Sequence, residues 1–200
     1  MAAPRPIRLP GPSFGSRPLP VTAVKGMDAL RVHGAAYPAV QFRLVSSHRY
    51  SHPEASGGLL YLGFDLETCL WECFGDAILD PGSMIARSRW MNQRLSRIRS
   101  TASFRICDLT DLKTRSQLKV DLSALKHTDL EIPQAWGQAI QNHPDQIDGL
   151  FYPSRFTTGR CLVLFERGGS GATLKSSVIG DLPDLDEADS FLDENKIALV

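Results

Sequence analysis

Leu60-Tyr61-Leu62-Gly63 and, a few residues on, Leu70-Trp71-Glu72 are the stretches whose reading decides the fold. Leu59 to Gly63 is short, apolar and bounded by glycine, the pattern of a buried strand. Asp65 behind it is a good N-cap, because its carboxylate can accept from the free amides of a first helical turn. Leu66, Cys69, Leu70, Cys73, Phe74, Ala77 and Ile78 then recur at three- and four-residue steps. That spacing predicts one apolar helical face, ending before Asp80-Pro81-Gly82. A strand thus delivers a tyrosine, and the helix after it presents one carboxylate. Taken singly, Tyr61 reads as a core residue with a satisfied hydroxyl, and Glu72 falls opposite the centre of the apolar face, where a glutamate is normally solvated.

Working outward, Pro20 to Val24 and Ala29 to His33 read as short extended pieces about a turn at Gly26, and Phe42 to Val45 as a further strand. Ser46 to Gly58 is polar, with Pro53, Gly57 and Gly58 marking a loop of the length that often lines a site. Downstream, strands are expected at Phe104 to Asp108 and, more weakly, near Leu118 to Leu122. A helix is expected from Pro133, which suits a first turn, through Trp136 to Asn142. Asp148 to Ser154 reads as a strand running into a turn, Cys161 to Phe165 as a buried strand, and Gly168-Gly169-Ser170-Gly171 as a loop. Strands outnumber long helices and their order is irregular, which predicts an α+β domain built on a single mixed sheet. Residues 1–20 carry Pro4, Pro6, Pro10, Pro12, Pro18 and Pro20 with Arg5, Arg8 and Arg17 between them, and should form an extended N-terminal arm rather than a packed element. The domain proper, 21–200, closes in an acidic tail (Asp181, Asp184, Asp186, Glu187, Asp189) and the apolar Ile197 to Val200.

With 200 residues, 42% of them apolar and 22% charged, the chain has the mix of one domain with a real core. Its 22 basic and 22 acidic side chains cancel, so nothing global favours a phosphate-backbone partner, and no direct nucleic-acid binding is expected. The absence of any apolar run of membrane or signal-peptide length gives the expectation of a cytoplasmic protein with no membrane partner. Cys69, Cys73, Cys107 and Cys161 lie in apolar patterns, not in a disulfide scaffold. His48 and His52, like Cys69 and Cys73, have a spacing that could chelate on a helix. The histidines sit in a loop and the cysteines on the apolar face, however, so no metal is expected. Walker, dinucleotide-loop and nucleophile-elbow motifs are all missing.

What remains is an ordered set: Leu30-Arg31-Val32, Arg49-Tyr50, Leu60-Tyr61-Leu62-Gly63, Trp71-Glu72-Cys73-Phe74-Gly75 and Asp148-Gly149-Leu150-Phe151-Tyr152-Pro153-Ser154, with Leu162 to Phe165 as the strand that follows. This order, over roughly residues 25 to 167, resembles the RES-domain family, named for its Arg, Glu and Ser. The chain departs from the pattern at Ser47-His48, where the family often has glycines, and at Val32, where a bulkier residue is common; Arg43 competes for an arginine role.

The resemblance implies a fold like that of ADP-ribosyltransferases and a bacterial toxin that degrades NAD, paired with a helix-turn-helix antitoxin of the Xre type. NAD is then the substrate, inorganic phosphate a candidate co-substrate, and no cofactor is needed. The residue types suit such a reaction. Nicotinamide leaves as a neutral base from a cationic pyridinium, so one carboxylate suffices to stabilise the oxocarbenium character of the ribose, and Glu72 is assigned to it. Arg31 and Arg49 are assigned to the pyrophosphate, for which guanidinium forks are well matched. Tyr61 would stack on nicotinamide or bond the ribose, and Ser154 would hold a ribose hydroxyl or phosphate oxygen. Glu72, Arg49 and Ser154 are thus the catalytic expectation; Arg31, Arg49, Tyr61 and Ser154 are the binding one. Water, phosphate or a protein acceptor all stay open, as do homo-oligomerisation and a non-catalytic interaction domain that kept the fold.

Overall fold

The computed structural model describes residues 7–167 and 170–200. Pro4, Arg5 and Pro6 of the expected arm, and Gly168-Gly169 of the expected loop, lie outside the described residues. The elements in chain order are β1 (Val21–Gly34), β2 (Leu59–Gly63), α1 (Leu66–Leu79), β3 (Met84–Ile85), α2 (Arg87–Met91), β4 (Gln93–Asp108), α3 (Leu112–Leu118), α4 (Leu122–Leu125), α5 (Glu131–Gln141), β5 (Gly149–Pro153), β6 (Arg160–Phe165), β7 (Lys175–Asp181), α6 (Asp186–Glu194) and β8 (Ala198–Leu199). Among the described residues, six strands form one mixed sheet in the order β1-β2-β6-β5-β4-β7, and β1 also pairs with β4. The pairings therefore run round a ring, joined between β1 and β2 at Leu30↔Gly63. Only β4 and β5 pair in parallel within this sheet. No described helix is long and apolar enough to cross a membrane.

Strand β6 decides where the site lies. Both β2 and β5 run antiparallel to it, so they are parallel to each other and end at the same edge, with Gly63 and Tyr152 each opposite Cys161. The helix that follows β2 and the turn that follows β5 consequently leave the sheet side by side. Asp65 caps that helix as expected, accepting from the Thr68 amide at 2.6 Å. Its face of Cys69, Leu70, Phe74 and Ile78 is buried in a cluster with Trp90, Leu182, Phe191 and Leu192.

Several elements differ from the sequence reading. The two short pieces about Gly26 are one strand, β1, interrupted by a bulge at Gly26, whose φ of +71° is cheap only for glycine. β4 begins at Gln93, well before Phe104, since Arg97, Arg99, Thr101, Ser103 and Arg105 alternate outward along it. The segment near Leu118 to Leu122 is not a strand: it joins α3 to α4, each capped by an aspartate, Asp111 and Asp121. Phe42 to Val45 contributes only a bridge, Arg43↔Leu59.

The chain ends are also more engaged than composition implied. From Ile7 onward the arm is pinned to α5: Trp136 Nε1 donates to the Arg8 carbonyl at 3.0 Å, and the Phe14 ring meets Trp136 edge-on at 5.6 Å. The acidic C-terminal stretch forms α6, which buries Ala188, Phe191 and Leu192 and turns its carboxylates outward, and β8, which pairs in parallel with β3.

Candidate functional site

Along the shared edge of β2 and β5 opens a cleft of about 810 Å³, within the usual range of about 300–1,000 Å³ for small-molecule sites. Arg31, Arg43, Arg49, Tyr61 and Glu72 all line it. Residues from four separate sequence segments are thus gathered by the strand order.

Glu72 is partly buried on the wall of the cleft. Its Oε1 accepts from the Ser154 hydroxyl at 2.6 Å and from the Arg155 amide at 3.1 Å. Its Oε2 has no hydrogen-bond partner among the described residues and is not fully enclosed. One carboxylate oxygen is therefore used to fix the side chain, and the other is left without a partner among the described residues, on a residue that lines the cleft.

Ser154 occupies a different place from the one expected. It is fully buried and is absent from the cleft lining. Its hydroxyl donates to Glu72 and accepts from the amides of Phe156 and Thr157, both at 3.1 Å. A hydroxyl has one proton and two lone pairs, so these bonds exhaust it, and direct contact with a ribose or phosphate is ruled out in this arrangement. Ser154 holds the carboxylate and the turn behind it.

The cations are arranged differently. Arg31 reaches from β1 beneath the 35–43 segment, donating through Nη1 to the carbonyls of Ala39 at 2.5 Å and Gln41 at 3.4 Å. Burial, with the nearby Arg43 charge adding to it, pushes its pKa down to about 10, which still leaves it charged at neutral pH. Arg49 is anchored through Nη1 to the carbonyls of His127 at 2.6 Å and Leu125 at 3.4 Å. Arg43 lies over the Tyr37 ring at 5.4 Å. Among the described residues none of the three has a carboxylate within ion-pair distance. Carbonyl dipoles orient the Arg31 and Arg49 guanidinium groups, and a ring face that of Arg43, without neutralising them, so the cleft carries uncompensated positive charge suited to an anion.

Tyr61 accepts from the Tyr50 amide at 3.1 Å and stands edge-on to His48 at 5.2 Å. Burial raises its pKa far above the ordinary tyrosine value, so the hydroxyl stays protonated, and its proton is free to point into the cleft. His48 is held below the usual histidine range by burial and by the Arg31 and Arg43 charges.

Sequence reasoning missed two residues. Arg155 lines the cleft and ion-pairs with Asp76, one helical turn beyond Glu72. Gln134, buried on α5, donates through Nε2 to the carbonyls of Ser46 at 2.6 Å and His48 at 2.9 Å, and so holds the loop that carries His48 and Arg49. The adjacency of Arg155 to Ser154 was a usable signal; nothing local marks Gln134.

The model of the RES domain matches residues 28–184. The chain belongs to the RES family. Every site residue described above lies inside the RES match. Among solved structures, a chain of the M. tuberculosis MbcT-MbcA toxin-antitoxin complex superposes with a TM-score of 0.59 at 18% identity, covering 87% of this chain and 92% of that one. At that identity the likeness is one of fold. No curated protein sequence matches.

Proposed function

We propose that this RES domain cleaves the bond between nicotinamide and ribose in NAD. The observation that carries the reading is the pairing, across one cleft, of carbonyl-anchored arginines that lack carboxylate partners with the Glu72 carboxylate, whose Oε2 has no partner among the described residues, the other lining carboxylate, Asp76, being paired with Arg155. A dinucleotide is an anion at its pyrophosphate and becomes a cation at the reacting ribose, which this division of charge suits. Arg31 and Arg49 bind the pyrophosphate oxygens, and Tyr61 donates to a ribose hydroxyl or meets the nicotinamide ring. As the glycosidic C–N bond breaks, its electron pair goes to the pyridinium nitrogen and nicotinamide departs neutral. Glu72 Oε2 stabilises the oxocarbenium character left on the ribose. An oxygen nucleophile then forms the new bond to the ribose carbon: water gives up a proton to solvent as it adds, whereas an anionic oxygen of inorganic phosphate adds without losing one. The fold relation to ADP-ribosyltransferases belongs to this same reading.

Membership of the family and the toxin-antitoxin setting of the structural neighbour support a toxin role with a protein antitoxin, which we assign to the helix-turn-helix type. The decisive experiment incubates the purified chain with NAD, with and without phosphate, and follows nicotinamide and the ribose-containing product by chromatography. Nicotinamide release is the expected result, and the second product names the acceptor. No turnover under either condition would sink the reading and leave the interaction domain.

A further inference from the structure

The turn Ser154 to Gly159 lies along one stripe of α1, and its contacts repeat at the helix period. Thr68, Glu72 and Asp76 are spaced by four residues and so share a face. Thr68 Oγ1 meets Thr157 Oγ1 at 3.2 Å, Glu72 Oε1 accepts from Ser154 and Arg155, and Asp76 pairs with the Arg155 guanidinium. The neighbouring stripe does the same through apolar groups. Trp71 stacks on Phe156 at 6.0 Å, and Gly75 leaves the space that Phe156 fills, since a Cβ there would come within 2.6 Å of the ring. Arg155 in turn lies over the other ring of this pair, 4.3 Å from the Phe156 centroid.

Within this zipper the Arg155 side chain is tied to a residue of α1 that is open to solvent. Asp76 is 83% exposed, and ion pairs of that kind contribute little to folding. Yet the same residue, Arg155, supplies the backbone amide that meets Glu72 Oε1. The pair fixes the side chain at one end of a residue whose other end sets the orientation of the carboxylate.

We propose that the Arg155–Asp76 ion pair is a clamp that orients Glu72, with Arg155 and Asp76 as positioning residues and not contacts to the substrate. For its catalytic consequence the proposal rests on the NAD reading above. Loosening the clamp lets the turn slide along α1 and tilts Oε2 away from the reacting ribose, while the anion-binding arginines on β1 and on the 46–58 loop stay in place. The effect falls on kcat and spares KM.

The test compares wild type with Asp76→Ala, Arg155→Ala, Arg155→Lys and the Asp76→Ala/Arg155→Ala double variant. Two measurements are made: kcat and KM for nicotinamide release, and amide hydrogen exchange at Arg155, Phe156 and Thr157. The clamp predicts a loss of about two- to fivefold in kcat for Asp76→Ala, the most that the small coupling energy of an exposed ion pair can shift the orientation of Glu72, at unchanged KM and unchanged melting temperature. It predicts an equal loss in Arg155→Ala, no further loss in the double variant, and recovery of most activity in Arg155→Lys, which can still pair with Asp76. Exchange at the three amides should quicken in both alanine variants. Wild-type kcat in Asp76→Ala overturns the clamp, as does a loss in Arg155→Ala that appears in KM and is not shared by Asp76→Ala, because Arg155 would then be a ligand contact. The exchange measurement tests the clamp even if wild type leaves NAD intact: unchanged protection in Asp76→Ala overturns the clamp, whereas failure of turnover alone overturns only the NAD reading.

Discussion

The carboxylate of Glu72 owes its usefulness to what the protein does to each of its oxygens separately. Oε1 is saturated by Ser154 and the Arg155 amide, and Oε2 is left without a partner among the described residues. Glu72→Gln keeps the size and one acceptor but removes the charge that, in the proposed reaction, opposes the oxocarbenium ion. A fall of about 10²–10³ in kcat, with the melting curve unchanged, is the expected outcome of steady-state kinetics. Ser154→Ala should behave differently. It deprives Glu72 of a charge-assisted bond, which corresponds to about a ten- to hundredfold loss in kcat, and it leaves the amides of Phe156 and Thr157 without their acceptor. That variant should therefore also lose about 1–3 kcal/mol of stability in denaturant titration, and a KM near wild type will separate the positioning role from direct binding. The sequence made Ser154 a ligand contact, because a serine after a strand advertises its hydroxyl and says nothing of its burial.

At the scale of elements, α5 is a platform for the loop that brings His48 and Arg49 to the cleft. Gln134, Gln138 and Gln141 all donate to carbonyls of residues 46–57, and Gly137 sits beneath Tyr50. A Cβ at position 137 would come within 2.4 Å of the Tyr50 carbonyl oxygen, a backbone atom that can yield only by moving the loop. Gly137→Ala should accordingly cost about 1–3 kcal/mol in unfolding and, on the proposed function, raise KM for NAD, since Arg49 moves with Tyr50. Helix α1, its cap and strands β2, β5 and β6 were legible because each carries a local signal: a capping aspartate, a three-to-four period, or an unbroken apolar run. The first half of β4 was missed because its inward positions include Ser96 and Ser100, both buried, which break the apolar half of a two-residue alternation. The 118–122 segment misled for the opposite reason, an apolar pair in a region whose aspartate caps decide for short helices.

For the molecule as a whole, the C-terminal segment is structural. Leu182, Ala188, Phe191, Leu192 and Ile197 share a cluster with the buried face of α1 and with Trp90. Removing residues 185–200 uncovers that face; Phe191 and Leu192 alone are each worth about 1.5–3 kcal/mol when buried. The truncated chain should lose its cooperative thermal transition in calorimetry. Acid should also weaken the fold. Burial, together with Arg31 and Arg94, holds His33 below the ordinary histidine value of 6.5, and burial acts likewise on His48. With the folded-state value depressed, the unfolded chain binds protons first as pH falls, so stability is complete above about 6.5 and declines below it toward the folded-state values. Denaturant midpoints measured from pH 8 to pH 5 should show that decline, and a flat profile across that window would argue against it.

What this sequence determined by itself is a set of local facts: a strand ending in Gly63, a capped helix with Glu72 off its apolar face, and the order of Arg31, Arg49, Tyr61, Glu72 and Ser154 that pointed to the RES family, to which the match over residues 28–184 assigns the chain. These are settled within a few residues by backbone preference and hydrophobic periodicity. Only the tertiary structure decided which of them face one another. β6 lies between β2 and β5 and makes them parallel, so Glu72 and Ser154 meet although 82 positions apart, and Ser154 is fully buried although it stands in a turn. Strand pairing and burial are relations between distant segments, and no window on the chain contains both partners.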